Sequence, residues 1–180
     1  MERLADFHIV PAGPSDCGAL ARVHVRSWRE TYLGLLPEPM LAQMSVAAHT
    51  RRWARLLMAP EPPEFVLCAE GVSGLVGYCS GFAGAGRAEV STLYILGLAQ
   101  NRGLGQRLLS SMARVLAARE ARSLRLWVLD GNQRARGFYE RLGGKAGASR
   151  PVNGWGGGLS ETVYVWPDID ALTRLAPRPA

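Results

Sequence analysis

The run Gln100-Asn101-Arg102-Gly103-Leu104-Gly105 has the residue types and spacing best suited to holding an anion. It joins a β-branched and aromatic stretch, Val90 to Leu96, to a helical pattern that opens at Leu104. The first N–H groups of a helix have no partners within it, and the helix dipole is positive at that end. Two glycines let a bulky pyrophosphate come close to the main chain. A tight strand-to-helix turn with no ligand would use the same glycines, so the segment alone leaves both uses open. Two other phosphate loops are excluded by their residues. A dinucleotide fingerprint needs a third glycine three places after the second, where this chain has Leu108. A Walker-type loop needs Gly-Lys followed by Ser or Thr, and no such tripeptide occurs.

The second informative block is Asn132-Gln133-Arg134-Ala135-Arg136-Gly137-Phe138-Tyr139-Glu140-Arg141-Leu142-Gly143-Gly144. The order Gln-x-x-Gly-x-Gly after the strand-like Ala88 to Ile95 resembles the acyl-CoA-binding motif of the Gcn5-related N-acetyltransferases. The second block resembles that family's Asn-x-x-Ala-x-x-Phe-Tyr-x-x-x-Gly-Phe segment, with Gly144 where phenylalanine is usual. Ala21 to His24, Ser27 to Gly34 and Trp53 are similar to one large bacterial branch, so the resemblance runs from Phe7 to Trp166. Gly97 stands where a proline usually follows the strand, and Asn101 where glycine or arginine is usual.

The resemblance implies acetyl-CoA as co-substrate, no metal, and a primary amine of a small molecule or peptide as acceptor. A protein N-terminus or lysine is the second acceptor class. A non-catalytic acyl-CoA-binding module is the rival from another class, and the presence of Tyr139 favours the enzyme. The implied cofactor residues are Leu93, Tyr94, Ile95, Gln100, Asn101, Arg102, Gly103, Leu104, Gly105, Gln106, Asn132 and Phe138. Tyr139 is the expected general acid. A phenol with a pKa near ~10 stays protonated at neutral pH and can hand its proton to a thiolate whose thiol lies near ~8.5. Packing of Phe138 and Tyr139 as aromatic core is the competing use. Glu89 is the expected base, placed relative to Gly103 as the glutamate of the family's histone-acetylating members is. Alternation puts Glu89, Ser91 and Leu93 on one face of their strand, and a plain surface glutamate is the alternative. Trp28, Tyr32 and Trp155 are expected to wall the acceptor.

The elements that must position these residues follow from periodicity. Phe7 to Pro11 reads as a strand, and Ser15 as the cap of a helix whose apolar stripe ends near Tyr32. That stripe contains His24, which reads as a packed core histidine. Pro37 to Ser45 is a short helical connection, and Val46 to Met58 an amphipathic helix stopped by Pro60-Glu61-Pro62-Pro63. Phe65 to Ala69, Leu75 to Phe82 and Glu89 to Leu96 read as three antiparallel strands. A long helix from Leu104 to Leu116 then crosses to a buried strand, Leu124 to Leu129, which must run parallel to the strand before it. Asn132 caps a helix from Gln133 to Arg141, and a last hairpin ends at Glu161 to Trp166, with Gly154 to Gly158 at its bend. Ala176 to Ala180 reads as a frayed tail. The fold class is α/β: a mixed, mostly antiparallel sheet flanked by helices. The resemblance adds that its two parallel central strands splay to admit the pantetheine arm.

At 180 residues and 48% hydrophobic content, the chain suits one domain. Its net charge of +6 comes almost wholly from scattered arginines. That scatter can steer an anionic ligand but lacks the basic, aromatic-interleaved run of a nucleic-acid binder. Three cysteines without CxxC spacing argue against a disulfide framework or zinc site. Neither a signal peptide nor a membrane-length apolar run is seen, so a cytoplasmic protein without membrane contacts is expected, and a homodimer is compatible with this reading.

Overall fold

A computed structural model describes residues 6–152 and 158–175. Seven strands form one sheet in the order β1-β2-β3-β4-β5-β7-β6. They are β1 (His8–Pro11), β2 (Phe65–Gly71), β3 (Gly74–Gly84), β4 (Arg87–Ile95), β5 (Ser123–Leu129), β6 (Lys145–Pro151) and β7 (Ser160–Trp166). Every neighbouring pair is antiparallel except β4 and β5. The helices are α1 (Cys17–Tyr32), α2 (Glu38–Ala42), α3 (Val46–Leu57), α4 (Leu104–Ala117), α5 (Gln133–Arg141) and α6 (Asp170–Thr173). This is the mixed sheet with a parallel central pair that the periodicity and the crossover helix predict.

Local caps explain several boundaries. Ser45 accepts the Ala48 N–H at the start of α3, and Asn132 Oδ1 accepts the Ala135 N–H at 3.1 Å at the start of α5. Ser15 is not the cap of α1. A 3-10 turn, Pro14–Asp16, precedes that helix, and Asp16 stands at its N-cap while its carboxylate takes the Gly13 N–H at 2.8 Å. Helix α6 carries too short an apolar pattern to be read from sequence. It is held by tertiary contacts: Leu172 is fully buried, and its carbonyl accepts from the Ser110 hydroxyl of α4.

Two apolar layers cover the sheet. On one face, Leu104, Leu108, Leu109, Met112 and Leu116 of α4 pack on Val90, Leu124, Leu126, Tyr164 and Trp166. On the other, Leu20, Ala21 and Val23 of α1 and Trp53 of α3 pack on Val66, Cys68 and Tyr78. Gly144 is explained by the first layer. A Cβ there would lie 2.7 Å from the Trp166 ring, whose indole N–H donates to the Leu142 carbonyl at 2.9 Å. Trp166 therefore fills the space into which a larger side chain at 144 would have to fit.

Within the second layer His24 is buried, and its Nδ1 lies 2.5 Å from the Tyr78 hydroxyl. Burial brings its pKa down to about 3, and His49 and Arg52 push the same way. In an unfolded chain the same ring would titrate near ~6.5. Below that pH the unfolded state takes up a proton that the folded state refuses, so stability is lost as pH falls from about 6.5 towards 3. The expected contribution is a slope of about 1.4 kcal/mol per pH unit. Denaturant unfolding between pH 4.5 and 6.5 checks it: the parent should show the steeper loss and His24→Phe the shallower. Equal slopes would assign the acid sensitivity to other groups.

Candidate active site

The parallel pair β4–β5 is joined at only three positions, Arg87 with Ser123, Ala88 with Leu124 and Glu89 with Arg125. Beyond Glu89 the strands part. The break coincides with a β-bulge: Thr92 faces Ser80 but Val90 faces Gly81, so Ser91 is an extra residue in β4. A bulge bends and twists its strand. The separated halves, Val90 to Ile95 and Leu126 to Leu129, line a cleft of about 1100 Å³. Among the described residues their facing edges have no strand partner, so backbone groups open into a cavity within the fold.

At the end of β4 the chain makes a 3-10 turn, Gly97–Ala99, and reaches α4 through Gln100 to Gly103. Asn101 (φ +61°) and Gly103 (φ +76°) both adopt the left-handed region, which asparagine tolerates and glycine enters at no steric cost. The amide nitrogen of Gln100's side chain donates to the Ile95 carbonyl at 2.6 Å, which closes the loop on itself. Arg134 of α5 donates to Asn101 Oδ1 at 3.1 Å. The first turn of α4 carries no acidic residue, and Arg102 and Arg134 line the cleft beside it. A positive helix end and two guanidinium groups thus lie together in the cleft lining, an arrangement suited to an anionic group.

The two glycines of the motif do different work. Gly103 supplies the left-handed conformation. Gly105 supplies room for packing, since a Cβ there would meet the Phe138 ring at 3.2 Å and Ile95 Cδ1 at 3.4 Å. Side chains of β4 and α5 occupy the space beside Gly105, which still borders the cleft.

Leu93, Tyr94, Ile95, Gln100, Asn101, Arg102, Gly103, Gly105, Gln106, Asn132, Phe138 and Tyr139 are together in the cleft lining. Leu104, named with them, is instead buried in the α4 core at 1% exposure, and only its backbone can serve the loop. Tyr139 projects from α5 against Phe138, Tyr164 and Trp166, with ring centroids 5.0, 6.1 and 6.0 Å away. The ring is therefore packed in the core and the residue also borders the cleft. Burial pushes its phenol above the ordinary range, so it keeps its proton.

Glu89 is placed differently from the expectation. It is absent from the cleft lining, and its carboxylate takes the Arg125 guanidinium at 2.7 Å. The bulge resets the side-chain alternation: Leu93 and Ile95 join Ala88 and Val90 on the α4 face, while Tyr94 packs on the opposite layer. Glu89, Ser91 and Leu93 therefore do not form the shared face that unbroken alternation predicts. Arg125 holds one of the Glu89 carboxylate oxygens, Oε2.

On the α1 side of the cleft, Tyr32 and Tyr94 share a hydroxyl hydrogen bond at 3.0 Å and both line the cavity. Trp28 does not line it. It packs edge-on behind Tyr32, centroids 5.0 Å apart, and also against His24 and Tyr94. Trp155 lies outside the described residues. Sequence reading missed Glu30, Trp127 and Arg134, all of which line the cleft. Arg134 sits inside the quoted Asn132 block and Glu30 two residues before Tyr32, so their neighbourhood was legible but their direction was not. The three cysteines are free and buried. Burial pushes Cys68 up to about 12 and Cys79 further, so both remain thiols. Among the described residues no group of His, Cys, Asp or Glu is arranged to hold a metal ion, and no helix is long and apolar enough to cross a membrane.

The uncharacterized N-acetyltransferase YuaI of Bacillus subtilis is 29% identical over 173 residues, covering 91% of this chain and 94% of its own. The PaiA N-acetyltransferase of Thermoplasma acidophilum, solved in complex with coenzyme A, shares the fold with a TM-score of 0.75 at 20% identity, covering 88% of this chain and 97% of that one. YncA of Salmonella typhimurium, solved with its cofactor acetyl-CoA, superposes with a TM-score of 0.68 at 18% identity, covering 97% and 99% of the two chains. The model of the acetyltransferase (GNAT) family matches residues 20–144. A match over that span, through the splayed strands, the α4 loop and the Tyr139 helix, makes the chain a member of the acetyltransferase (GNAT) family and an N-acetyltransferase.

Proposed function

We propose that the cleft binds acetyl-CoA along the open edges of β4 and β5 and passes its acetyl group to the primary amine of a small molecule or peptide that enters from the α1 side. One observation carries this reading. The unpaired strand edges run directly into the left-handed loop at the start of α4, and Tyr139 borders the same cavity. The donor supplies an activated thioester carbonyl. The chain supplies the rest: N–H groups at the start of α4, with Arg102 and Arg134 beside them, hold the pyrophosphate. The β5-facing edge of β4 at Leu93 to Ile95, where only the Ile95 carbonyl is taken up by Gln100, aligns the pantetheine arm. Tyr139, kept protonated by burial, gives its O–H to the departing sulfur. With Cys68 and Cys79 held as thiols, direct attack by the amine needs no cysteine intermediate.

A thiol-release assay with acetyl-CoA against small amines, amino acids, free peptide N-termini and lysine peptides tests the reading. Release with one class names the acceptor. CoA binding without release for any class would place the acceptor outside these four classes. The wall formed by Tyr32 gives a further expectation. Removing its ring in Tyr32→Ala should raise the acceptor KM about tenfold, the scale of a lost cation–π or stacking contact of about 1–2 kcal/mol, and spare CoA affinity. Steady-state kinetics with each substrate varied in turn checks this. A parental acceptor KM would put the acceptor elsewhere.

A further inference from the structure

We propose that Glu30 is a positioning residue that clamps the CoA-binding loop to the acceptor-side helix, a role that the glycine at position 97 makes possible. The inference rests on the reading that this cleft binds CoA. Glu30 stands in the last turn of α1, and Gly97 is the first residue after β4 and the adjoining Leu96. Glu30 Oε2 accepts the Gly97 N–H at 2.8 Å, and Arg26 Nε donates to Oε1 at 2.8 Å. Both oxygens are therefore engaged, and the carboxylate acts as a bridge between two elements. Glu30 and Gly97 both line the cleft.

The loop that follows needs such a bridge. It turns through two left-handed residues, Asn101 and Gly103, and its N–H groups can receive a pyrophosphate only when that geometry is held in advance. Gln100 ties the loop to Ile95, Arg134 ties it to α5, and Glu30 ties its origin to α1. A proline at 97 would fix the same turn by its ring. Leu96, at φ −59° and ψ 142°, already has the extended conformation that a following proline demands. Proline has no N–H, however, and would leave Glu30 with nothing at this point to hold. Glycine at 97 leaves the turn free to move and offers the N–H by which a carboxylate can stop it.

The test uses CoA titration calorimetry, amide exchange of the 96–103 segment in the free protein, and kinetics. The parent is measured first: a parent that does not bind CoA overturns the reading of the cleft and leaves the clamp to be judged by exchange alone. Glu30→Ala is expected to weaken CoA binding about tenfold, the scale of one charge-assisted hydrogen bond. It should raise the acetyl-CoA KM in step, leave kcat at saturation within about twofold, and speed exchange in the 96–103 segment. Glu30→Gln keeps an oxygen for the Gly97 N–H and should recover most of the loss. In a Gly97→Pro background, Glu30→Ala should change CoA affinity less than about twofold, because the N–H it held is gone. Parental CoA affinity and exchange in a folded Glu30→Ala protein would overturn the proposal. An equal loss in the Gly97→Pro background, or a loss confined to acceptor KM, would also overturn it, since Glu30 would then act by another contact.

Discussion

Tyr139→Phe is expected to lower turnover about 10²-fold or more while leaving CoA affinity close to the parent, the usual scale for removing a positioned proton donor. The substitution deletes one oxygen and leaves the ring in place against Phe138, Tyr164 and Trp166. The hydroxyl has no hydrogen bond to another of the described residues, so its loss orphans no partner, and thermal stability should hold within about 1 kcal/mol. Burial raises the phenol's pKa above its ordinary value, so it stays protonated at neutral pH. A thiolate forming in the same low-dielectric cleft is likewise made more basic, which draws the proton from oxygen to sulfur. Steady-state thiol release and CoA calorimetry on the same sample separate the two effects. Turnover within twofold of the parent would remove Tyr139 from the chemistry and leave it as core.

Gly103→Val is expected to weaken CoA binding about 10²-fold. At φ +76°, a side chain with a Cβ carries about 1–2 kcal/mol of backbone strain, and a β-branched one more. The chain can relieve that strain only by turning the loop, which swings away the N–H groups at the start of α4. Losing one charge-assisted hydrogen bond of about 1.5–3 kcal/mol on top of the strain reaches the 10²-fold scale. Gly103→Asn is the informative companion, because asparagine tolerates the left-handed region, as Asn101 does two residues earlier. It should retain most of the affinity. If the folded Val variant binds CoA like the parent, the pyrophosphate is held elsewhere.

Much of this site was legible in the chain because its key signals are local. A strand followed by Gln-x-x-Gly-x-Gly and a 3.6-residue apolar stripe defines a strand, a loop with left-handed residues and a helix start. These depend on backbone sterics within a dozen residues. Asn132 as the cap of α5, Gln133–Arg141 as the helix itself and the parallel crossing from β4 to β5 follow in the same way, from capping chemistry and connection length. The helix that carries Phe138 and Tyr139 is legible from its cap, while their place in the site is legible only through the resemblance of the Asn132 to Gly144 block to the family's segment.

Tertiary structure decided what local rules leave free. The bulge at Ser91 depends on how β3 and β4 register, and one extra residue is enough to part Leu93 from the face of Glu89. Glu89's partner, Arg125, lies 36 residues away on a strand that meets it only at the point where the splay begins. Trp28 and Tyr32 lie one turn apart on one helix stripe, yet the packing of α1 against β4 sends Tyr32 to the cavity and leaves Trp28 behind it. Gly144 became intelligible only when Trp166, 22 residues later, was seen to take its space. Glu30 and Gly97 are 67 residues apart, and no periodicity joins a helix end to a strand end. Sequence patterning determines which segments are helix or strand and where they turn, because those choices are made against water and the chain's own backbone. Which side chains meet across the cleft is decided by register, twist and packing between segments distant in the chain.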